Sequence, residues 1–216
     1  MLDAKARFLL SRSRAILRYE GLQGLWYRLL GRLGYQREGW FERCLREPIT
    51  PPRSGLDVEV TELREEDAEV YLDFRRGAKL EDFEQRMRQG CRCYCARYEG
   101  RLVAATWTLE GGGYVERLRR ELRLRSDAVY LFDSYTLPQL RGRRLQDHLS
   151  VAILEDCRRR GFLTAVALIE PHNLSSVRSF ERSGYRRTGT LARMRIGPWC
   201  RELSFGRTEE GPRPSV

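Results

Sequence analysis

Residues Thr136-Leu-Pro-Gln-Leu-Arg141-Gly142-Arg143-Arg144-Leu145 carry the reading of the fold. Before them, Ala128–Leu137 is apolar enough for a buried strand. After them, Leu145, Leu149, Ala152, Ile153 and Cys157 recur at helical spacing, so a helix runs from about Gly142 to Arg160 with one inner face. A strand that turns into a helix leaves the first backbone N–H groups of the helix unpaired at the positive end of its dipole, where a diphosphate binds well. Glycine at 142 lets the backbone approach such a ligand, and Arg141, Arg143 and Arg144 add charge-assisted donors. An ordinary strand-to-helix turn carrying surface arginines reads the same way so far.

Working outward, Phe162–Ile169 is a second apolar stretch, suited to a central strand, and Leu174–Ser183 is a short helix. Around that helix stand Asn173, Ser176, Phe180, Gly184 and Tyr185, in the pattern N-x-x-S-x-x-x-F-x-x-x-G-Y. The two blocks in this order resemble the GNAT superfamily, the Gcn5-related N-acetyltransferases. There the first block runs V-x-P-x-x-R-G-x-G/A, and the second runs N-x-x-A/S-x-x-x-Y-x-x-x-G-F. Pro138, Arg141, Gly142, Asn173, Ser176 and Gly184 match in place, with Thr136 for the valine and Tyr185 for the phenylalanine. The resemblance covers 129–185 by motif and roughly Leu56 to Phe205 by order of elements.

The resemblance implies an α/β fold with a mixed, splayed central sheet flanked by helices. It implies an acyl-CoA donor, acetyl-CoA first, whose pantetheine arm lies between the parting strands and pairs with backbone at Thr136 and Leu137. The pyrophosphate is expected on the amides of Arg141, Gly142, Arg143, Arg144 and Leu145, and the pantetheine end at Asn173 and Ser176. The reaction is direct attack of an amine of a small molecule or peptide on the thioester. Two departures matter. Arg144 stands where the family turn has its second glycine, and Phe180 replaces a tyrosine that often protonates the leaving thiolate, so no general acid acts from position 180. The candidate bases are Asp133, within the run VYLFDSYTL, and Glu170, just after the second strand. Asp133 reads equally as a partner for one of the many arginines. Ser134, Tyr135 and His172 rank behind these, and His148 reads as structural.

The remaining chain divides by composition. Residues 1–47 are expected to form a basic, amphipathic helical extension: Leu22, Leu25, Trp26, Leu29, Leu30 and Leu33 make one apolar stripe, and Phe8 to Tyr19 and Trp40 to Leu45 also read as helical. Residues 48–56, rich in proline, form a linker, 57–205 the acyltransferase domain, and 206–216 a disordered tail. Asp57–Leu63 is a short strand. A helix opens at Glu65, Glu66 and Asp67, where acidic residues meet the helix dipole favourably, and breaks at Gly77 before a second helix carrying Leu80, Phe83 and Met87. Cys91–Tyr98 and Arg101–Leu109 form a hairpin. Gly111–Gly113 and the arginines of 117–125 are placed to shape the acceptor or acyl entrance.

The net charge of +10 favours acidic partners such as CoA phosphates, an acyl carrier protein or anionic lipid met by residues 1–47. Lysine occurs only at Lys5 and Lys79 and arginine is spread through the whole chain, so the charge alone does not indicate nucleic acid. The cysteines at 91, 93 and 95 alternate along one strand face as small buried hydrophobes do, and their spacing does not suit zinc. No metal is expected. With no stretch of about 20 apolar residues and arginines interrupting the N-terminal apolar run, the protein reads as cytoplasmic. A homodimer through the N-terminal stripe is one arrangement that would bury it. The alternative function is a non-catalytic module binding CoA, an acyl carrier or a membrane surface on the same scaffold.

Overall fold

A computed structural model describes residues 30–31, 33–51 and 57–206. Much of 1–47, part of the linker and nearly all of the tail lie outside the described residues, including most of the Leu22–Leu33 stripe and the Phe8–Tyr19 segment. The chain runs β1 (Tyr35–Cys44), β2 (Glu59–Leu63), α1 (Ala68–Phe74), α2 (Leu80–Arg88), β3 (Arg92–Tyr98), β4 (Arg101–Glu110), β5 (Gly112–Val115), β6 (Arg120–Arg123), β7 (Ala128–Thr136), α3 (Leu145–Arg159), β8 (Thr164–Ile169), α4 (Leu174–Arg182), β9 (Arg186–Ile196) and β10 (Trp199–Gly206).

Eight strands form one mixed sheet in the order β10-β9-β1-β8-β7-β4-β3-β2, while β5 and β6 make a separate hairpin. The β7–β8 pair is parallel; its neighbours pair antiparallel. Helices cover both faces. On one, α3 and α4 pack Leu145, Leu149, Ile153, Leu154, Cys157 and Phe180 against Phe41, Val129, Leu131 and Ala167. On the other, α1 and α2 place Tyr71, Phe74 and Phe83 over Cys93, Cys95 and Trp107. Beside them the β5–β6 hairpin sets Val115, Leu118 and Leu122 over Trp40, Tyr130, Val166 and Leu191. The alternating cysteines are buried on the α1–α2 face, as their period of two requires.

One reading changes. The stretch Trp40–Leu45, expected to be helical and part of an extension, belongs almost wholly to β1, an interior strand between β8 and β9. The central sheet therefore draws on residues well before position 57. Trp40 goes to the hairpin side and Phe41 to the α3 side. A strand covered on both faces shows no polar alternation, and its short apolar run reads as readily as a helix turn. Among the described residues no helix is long and apolar enough to cross a membrane.

Candidate active site

The site lies where β7 and β8 part. Their pairing runs from Ala128↔Thr164 to Leu131↔Ala167 and stops there, although β7 continues to Thr136 and β8 to Ile169. Beyond Leu131 the two strands present unshared edges to a gap, with the N-terminus of α3 at its mouth.

That N-terminus is open. Its cap, Arg144, makes no side-chain hydrogen bond to it. The turn reaches it through two left-handed residues, Gly142 (φ 82°) and Arg144 (φ 61°). At Gly142 only hydrogen occupies the Cβ direction and nothing lies within 4 Å of it, so the backbone is bare toward solvent. Arg144 keeps the conformation that a glycine would adopt freely, at a steric cost of about 1–2 kcal/mol for an L-residue. The position thus takes a glycine-like backbone although an arginine stands there. Arg141, Arg143 and Arg144 are all exposed around it, and Arg141 Nε donates to the Thr136 carbonyl at 3.3 Å. A cavity lined by Pro51, Arg144, Asp147, Val151 and Arg182 continues from the turn.

A polar chain ties the first turn of α3 to β7 and β4. Gln146 Nε2 donates to Thr106 Oγ1 at 2.5 Å, Thr106 donates to Ser134 Oγ at 3.0 Å, and Thr136 Oγ1 donates to Gln146 Oε1 at 3.3 Å. Asn173 caps α4, its Oδ1 accepting from the Ser176 amide at 3.2 Å and from Ser175 Oγ at 2.9 Å. Asp147 ties α3 to α4, accepting from Ser179 Oγ and from Arg182 Nε and Nη2, each at 3.0 Å. Gly184 (φ 82°) is required by Arg43, whose guanidinium lies 2.9 Å from where a Cβ would be. Phe180 is buried edge-on against Tyr185, centroids 4.9 Å apart.

The two acids singled out from sequence have different surroundings. Asp133 sits on a bulge of β7 with φ 52° and is held by Arg75 Nη2 at 2.6 Å and Arg86 Nη1 at 2.5 Å. Burial works to raise its pKa, but the hydrogen bond and charge of Arg75, with those of Arg86, hold it below its ordinary value. A carboxylate so paired is a weak base. Glu170 ends β8, half-buried, ion-paired with Arg117 and 3.5 Å from His172 Nε2.

A third acid, Glu38 of β1, was not singled out from sequence because its segment fell in the stretch assigned to a helical extension. It is 4% exposed and lies one residue before Gly39, which pairs with Ile169 at the end of β8. Burial pushes its pKa up to about 7 against the lowering charge of Arg117, whose Nε is 4.0 Å away. No periodicity in the sequence marks it; the strand itself had to be recognised first.

A parallel strand pair that parts beside an uncapped, arginine-rich helix N-terminus leaves an elongated gap whose mouth suits an anionic ligand. The chain belongs to the acetyltransferase (GNAT) family, which matches residues 58–185, and is an enzyme of that acetyltransferase type. Among solved structures it is similar to an acetyltransferase of the GNAT family from Novosphingobium aromaticivorans, at 16% identity and TM-score 0.50, covering 81% of this chain and 69% of that one. It is similar to a GCN5-related N-acetyltransferase from Sphaerobacter thermophilus, at 13% identity and TM-score 0.54, covering 76% of this chain and 53% of that one. A third is the aminoglycoside N-acetyltransferase AAC(6')-Iy in complex with CoA, at 17% identity and TM-score 0.50, covering 68% of this chain and 96% of that one. At these identities the likeness is one of fold. No curated protein matches the chain.

Proposed function

We propose that the protein is an acyl-CoA-dependent N-acyltransferase, with acetyl-CoA as donor, that moves the acyl group to an amine of a small molecule or peptide by direct attack. The observation that carries this reading is the uncapped start of α3 at the mouth of the β7–β8 gap. The diphosphate lies on the amides of 141–145, with Arg141, Arg143 and Arg144 around it, and the nucleotide end extends toward the cavity at Arg144 and Arg182. The pantetheine arm runs along the edge of β7 that faces β8 and passes Thr136 and Leu137 at its end, with Asn173 and Ser176 on the far side. Bound this way, the thioester carbon is held beside the polar chain of Ser134, Thr106 and Gln146, and proximity supplies much of the rate.

Of the acids, Glu170 stands at the acceptor end of β8. Asp133 has a positioning role: its two arginines come from the C-terminal cap of α1 and the last turn of α2, so it fixes the bulge of β7 opposite β4. Thiolate is a fair leaving group, and with Phe180 packed in the core the thiol leaves without an acid from that position.

Thiol release from acetyl-CoA, measured against a panel of primary amines with butyryl-CoA and octanoyl-CoA in parallel, tests the reading. Amine-dependent release that is fastest with acetyl-CoA is the expected result. Faster release with octanoyl-CoA would reassign the donor. Equal release with and without amines would contradict N-acyl transfer.

A further inference from the structure

We propose that Glu38, supplied by a strand outside the family segment, takes the proton from the acceptor amine, and that Arg117 stands where the acceptor's ammonium binds. The inference rests on the acyl-transfer reading above and deepens it by assigning the residue that meets the second substrate.

The placement follows from strand register. Glu38 precedes Gly39, the partner of Ile169, and so lies beside the last residues of β8, past Ala167 where pairing with β7 ends. Side chains alternate along β1, so Glu38 shares a face with Trp40, the face covered by the β5–β6 hairpin and opposite α3. Donor and acceptor then approach the gap from opposite faces of the sheet and meet within it.

The surroundings give Glu38 a reason to be there other than structural pairing. The apolar cluster on this face includes Trp40, Tyr130, Val166 and Leu191. A carboxylate in such surroundings is costly unless paired, and the cation at hand engages Glu170 more closely than Glu38. Arg117 projects from the hairpin turn, is 60% exposed, pairs with Glu170, and reaches Glu38 at 4.0 Å. Burial and Arg117 set the charge of Glu38; the other titratable groups around it are Tyr130 of β7, whose hydroxyl its charge disfavours ionising, and Glu170, which shares Arg117 and lies 3.5 Å from His172 Nε2. A cation on a hairpin turn, held between two carboxylates at a substrate gap, marks a place that an ammonium group can take.

The step balances simply. The ammonium entering between Glu38 and Glu170 gives one proton to the Glu38 carboxylate. The freed lone pair attacks the thioester carbon, the C–N bond forms and the C–S bond breaks. The second proton shed by nitrogen leaves with CoA as its thiol, and Glu38 returns its proton to solvent. The raised pKa of Glu38 suits a base working near neutral pH.

The test uses the full chain, acetyl-CoA and spermidine, with thiol release as readout. Glu38→Gln, close to isosteric, is expected to retain acetyl-CoA binding while kcat/KM falls roughly a hundredfold or more, in the range general bases contribute. The rise of kcat/KM through about pH 7 in the wild type is expected to vanish in this variant. In Arg117→Ala the same rise is expected at higher pH, because a charge favouring the carboxylate is gone. A carbon-13 titration of glutamate-labelled protein, with Glu38 assigned by Glu38→Gln, gives a readout without turnover. A midpoint near 7 is expected, and a midpoint in the ordinary carboxylate range overturns the proposal. So does a Glu38→Gln enzyme whose kcat/KM and pH profile match the wild type, which leaves N-acyl transfer itself intact. A wild type that binds acetyl-CoA but transfers to no amine refutes the acyl-transfer reading and the role of Glu38 with it.

Discussion

Arg144 is the residue at which the chain departs from its family's turn while keeping the backbone shape. Glycine would hold φ 61° without strain, and the ion pair of Arg144 with Asp147, at 3.7 Å on an exposed side chain, contributes little. Arg144→Gly is therefore expected to stabilise the fold by up to about 1 kcal/mol, seen as a higher midpoint in urea, and to weaken donor binding through the lost cation. Asp133 works in the other direction. Its carboxyl is held below its usual pKa by Arg75 and Arg86, so its contribution is present above the unfolded value near 4 and lost as pH falls through the folded one. Asp133→Asn is expected to cost roughly 2–3 kcal/mol at pH 7, as breaking one partner of a largely buried pair does, and much less at pH 3; urea midpoints at both values check this. Glu38 has the opposite sign. Its pKa is raised from 4.5 to about 7, so its favourable contribution is full below 4.5 and lost as pH rises through 7. Glu38→Gln is expected to be more stable than wild type at pH 8, and an unchanged difference between pH 5 and pH 8 would contradict the burial account.

At the scale of elements, the turn from β7 into α3 was legible because it combines a strand run, a turn with glycine and a helical stripe, three signals in one place. Asn173 stood out through its place in the N-x-x-S block, but its role as the cap of α4 emerged only with the helix in place, although Asn at that position has a capping mechanism. β1 was not. Trp40 and Phe41 face opposite sides of the sheet and are both buried, so neither a period of two nor one of 3.6 stands out. Its partners lie more than a hundred residues away in β8 and β9, and long-range pairing leaves no local trace. Because β1 is interior, Trp40→Ala is expected to destabilise by about 3–5 kcal/mol, measured by chemical denaturation. A loss below 1 kcal/mol would mean that the strand is peripheral.

At the scale of the molecule, the fold class followed from two short blocks, one of them the turn proposed to bind the donor, whereas the proposed acceptor side depends on the sheet as assembled. Asp133 shows the difference. Its position within an apolar strand marked it for attention, but whether it is a base or an ion-pair anchor is decided by Arg75 and Arg86, brought in by helices more than forty residues upstream. The hairpin covers the face of the sheet opposite α3, and under the proposed reading the donor meets the gap from the α3 side and the acceptor from the hairpin side.

The turn at 136–145 is proposed to hold the donor. Calorimetric titration of the full chain with acetyl-CoA, beside an Arg141→Ala, Gly142→Asp double variant of unchanged thermal stability, is the decisive measurement. One binding site of micromolar affinity that the variant loses, with weakening as salt is raised, is the predicted result. Equal affinity in the two proteins, or no binding to the wild type, would contradict it.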